Sequence, residues 1–223
     1  MLFSKILKTD HDSLFGDIIG YDHIKRLFRM ALDSDSVVHI LLVGPPASAK
    51  TMFLTSLTHQ MTRSFFTDGT NSTKAGMIDY LFENRPRYLL VDEIDKMAAK
   101  DQALLLNLME TGIVSETKYG KTRLAKMKTS VFATSNNVDK LSLPLQSRFF
   151  IVELEPYAYK QFCEITHELL SRRDIERRIV DVIANAVWNK SQDIRDCIKI
   201  GTLVKTTKDV EFIVEKFLGP KIS

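Results

Sequence analysis

Along the first two thirds of the chain, apolar residues come in short runs closed by small, polar or acidic residues. "HILLVG" (39–44), "RYLLVDEID" (87–95), "TSVFATSNN" (129–137) and "FFIVEL" (149–154) are such runs, and "SFF" (64–66) is a shorter candidate. Runs of this length bounded by turn residues read as buried strands. Between them the apolar spacing turns helical. "AKTMFLTSLTHQM" opens behind the first run, "KAGMIDYLFEN" carries Met77, Ile78, Leu81 and Phe82, and "KDQALLLNLMETG" (100–112) is expected to stop at Gly112. Strands alternating with helices predict a parallel sheet covered on both faces. After Pro156 the period is helical throughout, in "YKQFCEITHELLSR", "RDIERRIVDVIANAVWNK" and "QDIRDCIKIGTLVKT", with Ile175, Ile179, Val182 and Ile183 along one face. The expected organisation is an α/β domain over 1–155, then a small helical domain over 156–223.

Composition mainly excludes. The 223 residues are 44% hydrophobic and 26% charged, an ordinary globular balance. Two cysteines, Cys163 and Cys197, cannot build a disulfide framework, which points to a reducing, cytoplasmic setting. The opening "MLFSKILKTDHDS" has no long apolar core, and no run approaches the roughly 18 apolar residues of a membrane span. The histidines show no metal-ligand spacing, so no zinc site is expected. A net charge of +3 is too small to imply a nucleic-acid partner; such a case must come from local clustering.

The chemistry begins at "VGPPASAKT" (43–51), which nearly matches G-x-x-x-x-G-K-[ST] but has Ala49 in place of the second glycine. A loop of this kind turns backbone N–H groups around a phosphate at the positive end of a helix. Gly44, Pro45, Pro46, Ala47, Ser48 and Ala49 would form the cradle. Lys50 would reach the β- and γ-phosphates, and the Thr51 hydroxyl would ligate Mg²⁺. Ala49 matters only if its φ must be positive. About forty residues on, "YLLVDEID" ends a second strand in acids: Asp92 can hold Mg²⁺ and Glu93 can polarise an attacking water. ATP and Mg²⁺ are therefore the expected ligands.

With these motifs in this order, the chain resembles an AAA+ ATPase over nearly its whole length. The resemblance implies a P-loop sheet sandwiched by helices, followed by an α-helical lid. In "SVFATSNN" it makes Asn136 the polar sensor, and in "LPLQSRFF" it makes Arg148 the arginine finger. "SQDIRDCIKI" matches the second sensor at Arg195, facing the nucleotide from the lid, and in "FGDIIGYDHIKRLF" Ile18 and Ile19 would line the adenine pocket. The minichromosome-maintenance helicases also place Ala before the lysine, although this chain has Ala47 where they have Gly. A homo-oligomeric ring such as a hexamer follows from the finger, which acts across a subunit contact.

"METGIVSETKYGKTRLAKMKTSVFATSN" puts two β-prone segments around "KYGK", directly before the sensor strand. It resembles the pre-sensor-1 hairpin of minichromosome-maintenance helicases, RuvB-type branch-migration motors and MoxR-type ATPases. Between residues 116 and 128, Lys118, Lys121, Arg123, Lys126 and Lys128 stand against Glu116 alone, a local +4 able to track phosphates. Tyr119 could stack on a base. The expected substrate is DNA, handled by a helicase or branch-migration-like translocase. The alternative is a MoxR-like protein remodeller, and the intact Asp92–Glu93 pair argues against a switch that only binds ATP. No length remains after the lid for the winged helix of RuvB-type motors, nor before the motifs for a large N-terminal domain. A separate loading or adaptor protein is therefore expected, and no membrane partner.

Overall fold

The computed structural model describes residues 14–118 and 121–219; at Lys118 and Lys121 it describes the backbone only. The chain divides into two compact units, with the boundary between Glu155 and Pro156.

In the first unit, five strands form one parallel sheet: β1 (Ile40–Val43), β2 (Ser64–Asp68), β3 (Tyr88–Asp92), β6 (Ser130–Ser135) and β7 (Phe150–Glu153), in the order β2-β3-β6-β1-β7. Side chains alternate across the pleat, so Leu41, Leu89, Val91, Val131 and Ala133 meet one core, and Ile40, Leu42, Leu90 and Phe132 meet another. Helices α3 (Lys74–Asn84) and α4 (Ala99–Thr111) cover the first face. Helices α1 (Asp22–Asp33) and α2 (Lys50–Gln60) cover the second, where Phe15, Phe28 and Phe53 pack with centroids 5.1–5.7 Å apart. Burial on both faces explains why the inner strands β1, β3 and β6 read as apolar runs rather than as alternating patterns, whereas Phe150 and Ile151 of the edge strand β7 are exposed.

Between α4 and β6 a hairpin stands apart from the sheet: β4 (Ile113–Lys118) pairs antiparallel with β5 (Lys121–Lys126). Gly112 ends α4 in the left-handed conformation (φ 69°), and its carbonyl accepts the Met127 N–H at 2.8 Å. A Cβ at this position would lie 2.6 Å from the Met127 carbonyl oxygen, so only glycine closes the root of the hairpin.

The second unit comprises α6 (Tyr159–Ser171), α7 (Arg177–Trp188), α8 (Ile194–Leu203) and α9 (Thr207–Phe217) around Phe162, Leu170, Ile183, Val187 and Ile200. Cys197 lies in this core, and burial pushes its thiol up to about 12, which leaves it a protonated packing group. Ile175 precedes α7 instead of sharing its face, because Asp174 takes a positive φ of 54° and interrupts the helical path. Helices α1 and α9 form in stretches where the pattern assigned none. Ile24, Phe28, Ala31 and Leu32 line a buried stripe of α1, and Thr206 and Asp209 make a reciprocal capping box for α9. Among the described residues, no helix is long and apolar enough to cross a membrane.

Candidate active site

β1 carries the chain to the carboxyl end of the sheet, where residues 44–49 turn and α2 starts at Lys50. Crevices outside the carboxyl ends of parallel strands are where open α/β sheets bind ligands. Ala47 (φ 64°) and Ala49 (φ 57°) are both left-handed, so the altered position does require a positive φ. Each alanine costs about 1–2 kcal/mol there. In exchange the turn aims Lys50 back across its own loop. Lys50 is 6% exposed, and its ammonium donates to the Gly44 carbonyl at 2.8 Å, the Pro45 carbonyl at 2.7 Å and the Ser48 hydroxyl at 3.2 Å.

The acids arrive from β3. Asp92 ends the strand, and the Thr51 hydroxyl donates to its carboxylate, 2.9 Å from Oδ2 and 3.2 Å from Oδ1. Glu93 then takes a left-handed φ of 49°. That conformation is possible beside β2 because residue 69 is glycine: a Cβ there would stand 2.3 Å from the Glu93 carbonyl oxygen. The Asn136 amide, just past the end of β6, donates to Glu93 Oε1 at 3.3 Å, and the Asn136 N–H donates to the buried Asp95 carboxylate at 3.1 Å.

Two residues the motifs did not single out complete this cluster. Asp95 orients the backbone of Asn136. Thr134 donates its hydroxyl to Asp92 and accepts the Glu93 N–H at 2.9 Å, tying both acids to β6. The available signal was Thr134 itself, a polar residue inside an apolar strand two positions before Asn136. Thr51 and Asp92 offer hard oxygen donors from two elements at one point, which suits Mg²⁺. A buried ammonium at a helix N-terminus suits a phosphate. The donor set fits a Mg-nucleotide.

The remaining candidates lie elsewhere. Ile18 is 2% exposed in the aromatic core with Phe15, Phe28 and Phe53, and Ile19 beside it is half-buried. Arg148 follows the short α5 (Leu143–Gln146) and precedes β7. Phe150 aligns with the first residue of β1, whereas the Leu154 N–H bonds to Val43 at its last. At ~3.3 Å per residue, Arg148 is therefore roughly 15–20 Å along the strands from the phosphate loop. Its guanidinium donates to Glu110 Oε1 at 2.5 Å.

Arg195, in the second unit, is held by Asp193, the N-cap of α8: Nη2 lies 2.7 Å from Oδ2, and the Arg195 N–H donates to Oδ1 at 2.8 Å. Burial alone would raise the Asp193 carboxyl, but the hydrogen bonds from Arg195 outweigh it and hold the group below its usual range. On the hairpin, Lys126 and Lys128 are exposed. Arg123 is instead bound to Glu116 and to Asp79 of α3 (2.5 Å), with its guanidinium 4.7 Å from the centre of the Phe82 ring. The local charge free to meet a partner is correspondingly smaller than the sequence count, and Arg123 acts as a clamp between hairpin and α3. Tyr119 lies outside the described residues, as do the side chains of Lys118 and Lys121.

Residues 40–157 match the family described as "ATPase family associated with various cellular activities (AAA)". Among similar proteins, the zygotic DNA replication licensing factor mcm6-A of Xenopus laevis is 28% identical over 214 residues, covering 77% of this chain and 26% of that protein. The DNA replication licensing factor mcm-6 of Caenorhabditis briggsae is 25% identical over 98% of this chain and 32% of its own length. The chain thus spans about a quarter to a third of these relatives. Among solved structures, the Thermotoga maritima RuvB Holliday junction branch migration motor superposes with a TM-score of 0.65 at 23% identity, over 92% of this chain and 66% of that one. A variant of the same RuvB reaches a TM-score of 0.71 at 22% identity, over 90% and 71%. That level of identity speaks to the fold.

Proposed function

Because the chain belongs to the AAA family of ATPases, we propose that it hydrolyses ATP in a Mg²⁺-dependent manner, as one subunit of a ring-shaped motor acting on DNA. The observation that carries the chemistry is the meeting of Lys50, Thr51, Asp92, Glu93 and Asn136 at the carboxyl ends of β1, β3 and β6. Lys50 binds the β- and γ-phosphates, and Thr51 and Asp92 hold the cation. When bound, Mg²⁺ neutralises charge on the phosphate oxygens. Glu93 accepts a proton from the attacking water, and its contact with Asn136 keeps the carboxylate aimed. Ile18 and Ile19 support the adenine side.

Arg148 supports the ring. It stands at the opposite end of the sheet from its own phosphate loop, so a phosphate within its reach belongs to another copy. Two free cysteines, one of them buried, fit a reducing, cytoplasmic setting.

The DNA reading is supported by the exposed hairpin lysines and by the names of the similar proteins: replication licensing factors and a Holliday junction motor. ATPase rates with single-stranded, duplex and branched DNA test it. Four hairpin lysines on phosphates give a slope of log affinity against log salt of about −3 to −4, and replacing Lys126 and Lys128 by Ala lowers its magnitude by about 2. Absence of both DNA binding and stimulation would replace this reading by a protein remodeller, toward which the neutralisation of Arg123 by two carboxylates already leans.

A further inference from the structure

Glu110 stands on the last turn of α4, two residues before Gly112 and the root of the hairpin. Its carboxylate receives the Arg148 guanidinium, so the finger residue and the root of the hairpin both attach to the end of α4. The root leaves little slack. The Gly112 N–H donates to Leu108 at 2.9 Å, the Gly112 carbonyl accepts Met127 at 2.8 Å, and the Ile113 N–H donates to the Thr111 hydroxyl at 3.0 Å. His39, just before β1, joins the same corner. Its Nδ1 accepts the Val131 N–H at 3.1 Å, its ring is hydrogen-bonded to the Met109 backbone, and Phe149, the neighbour of Arg148, packs edge-on against it at 6.4 Å. A tilt of the hairpin about its root is therefore also a displacement of the last turn of α4, and Glu110 moves with it.

The pair itself is a light latch. Both side chains are partly exposed, 39% for Arg148 and 48% for Glu110. Ion pairs of this exposure are weak, so a competing phosphate displaces the carboxylate readily.

We propose that Glu110 is a positioning residue that parks Arg148 within its own subunit, and that engagement of the hairpin by DNA withdraws Glu110 and releases Arg148 to the neighbouring copy. The proposal rests on reading Arg148 as the residue that completes a neighbour's site. It makes the hairpin report to the interface through α4, with the subunit's own phosphate loop uninvolved.

The test is steady-state ATPase activity of the full chain for Glu110→Gln, Glu110→Asp and Arg148→Ala, with and without single-stranded, duplex and branched DNA. DNA binding is followed in parallel by fluorescence anisotropy and folding by thermal unfolding. Glu110→Gln keeps the shape and removes the charge. It should raise the DNA-free kcat by up to about fivefold at unchanged KM for ATP, the fold-change equivalent to an exposed pair of about 1 kcal/mol. It should also bring the ratio of DNA-stimulated to DNA-free turnover close to one. Glu110→Asp keeps the charge and should stay near the native ratio. A merely structural Glu110 would instead lower kcat and the unfolding temperature together, in both variants. That pattern overturns the proposal, as does a Glu110→Gln chain with native kcat and native stimulation. If DNA binds the native chain without stimulating it, the coupling fails and the DNA reading stands; if no DNA binds, both fail. Full turnover in Arg148→Ala would remove the finger reading itself, whereas loss of turnover there beside a native-like Glu110→Gln would remove only the role of Glu110.

Discussion

The two ends of the central sheet are built on different physical terms. At the carboxyl end, Lys50 and Asp95 are almost fully buried, and three non-glycine residues, Ala47, Ala49 and Glu93, hold left-handed backbone. Strain of this kind persists only where the surroundings over-determine it: Thr134 and Asn136 hydrogen-bond to Glu93, and the Lys50 ammonium ties together the Gly44 and Pro45 carbonyls and the Ser48 hydroxyl around the two alanines. At the amino end, the charged groups are exposed and paired lightly, Arg148 with Glu110, beside the half-buried, neutral His39. One end is preorganised to stabilise charge that develops in a reaction. The other is free to exchange partners. The contrast matches the proposed division of labour, in which chemistry occurs at one end and communication between copies at the other.

The comparison is broken most directly at Arg148. Arg148→Ala should lower turnover about 10³-fold or more while ATP binding, measured by calorimetry or a fluorescent nucleotide, stays native. Mixing this variant with Lys50→Ala copies should recover part of the rate, since each supplies what the other lacks; no recovery at any ratio would return Arg148 to its own subunit. Glu93→Gln, at the preorganised end, should cut kcat by about 10²–10⁴ with little change in nucleotide affinity.

His39 tests the amino end by pH. Burial lowers its pKa to about 4 from 6.5, against the opposing pull of the hydrogen bond to Met109. The unfolded chain therefore binds the proton first. The contribution is fully present above about pH 6.5 and drains away as pH falls toward 4, amounting to about 1–2 kcal/mol between pH 7 and pH 5 after allowance for partial exposure. Urea midpoints at the two pH values should show that loss, and His39→Gln should abolish this slope.

The smallest effect belongs to the strained loop. Ala49→Gly or Ala47→Gly relieves about 1–2 kcal/mol of left-handed strain and gives back about 0.5–1 to the flexibility of glycine in the unfolded chain. A net rise of roughly 2 °C in Tm should result for each. A fall in Tm would mean that the methyl groups pack usefully, and that the two ends differ less in strain than their backbone angles indicate.

Much of this was legible in the residues. β1, β3 and β6 were visible because strands covered on both faces need unbroken apolar runs, the edge strand β7 because its run is apolar although largely exposed, and α3 was visible to the residue from the helical spacing of Met77, Ile78, Leu81 and Phe82. Lys50, Thr51, Asp92 and Glu93 could be found because phosphate and cation chemistry demands those types at that spacing. Helix α1 was hidden by the charges between its buried positions.

What the sequence determined by itself is the inventory: a phosphate loop with two alanines in it, acids closing an apolar strand, and a basic hairpin ahead of a polar sensor. These are local matters, set by period, spacing and side-chain type. Only the tertiary structure decided that Ala47 and Ala49 are left-handed, that Thr134 binds both acids together, that Arg123 is spent on Asp79 and Glu116, and that Arg148 rests on Glu110. Each of those joins residues that strand register and helix packing bring together, or depends on a φ that side-chain identity leaves open. No reading along the chain can see across a sheet.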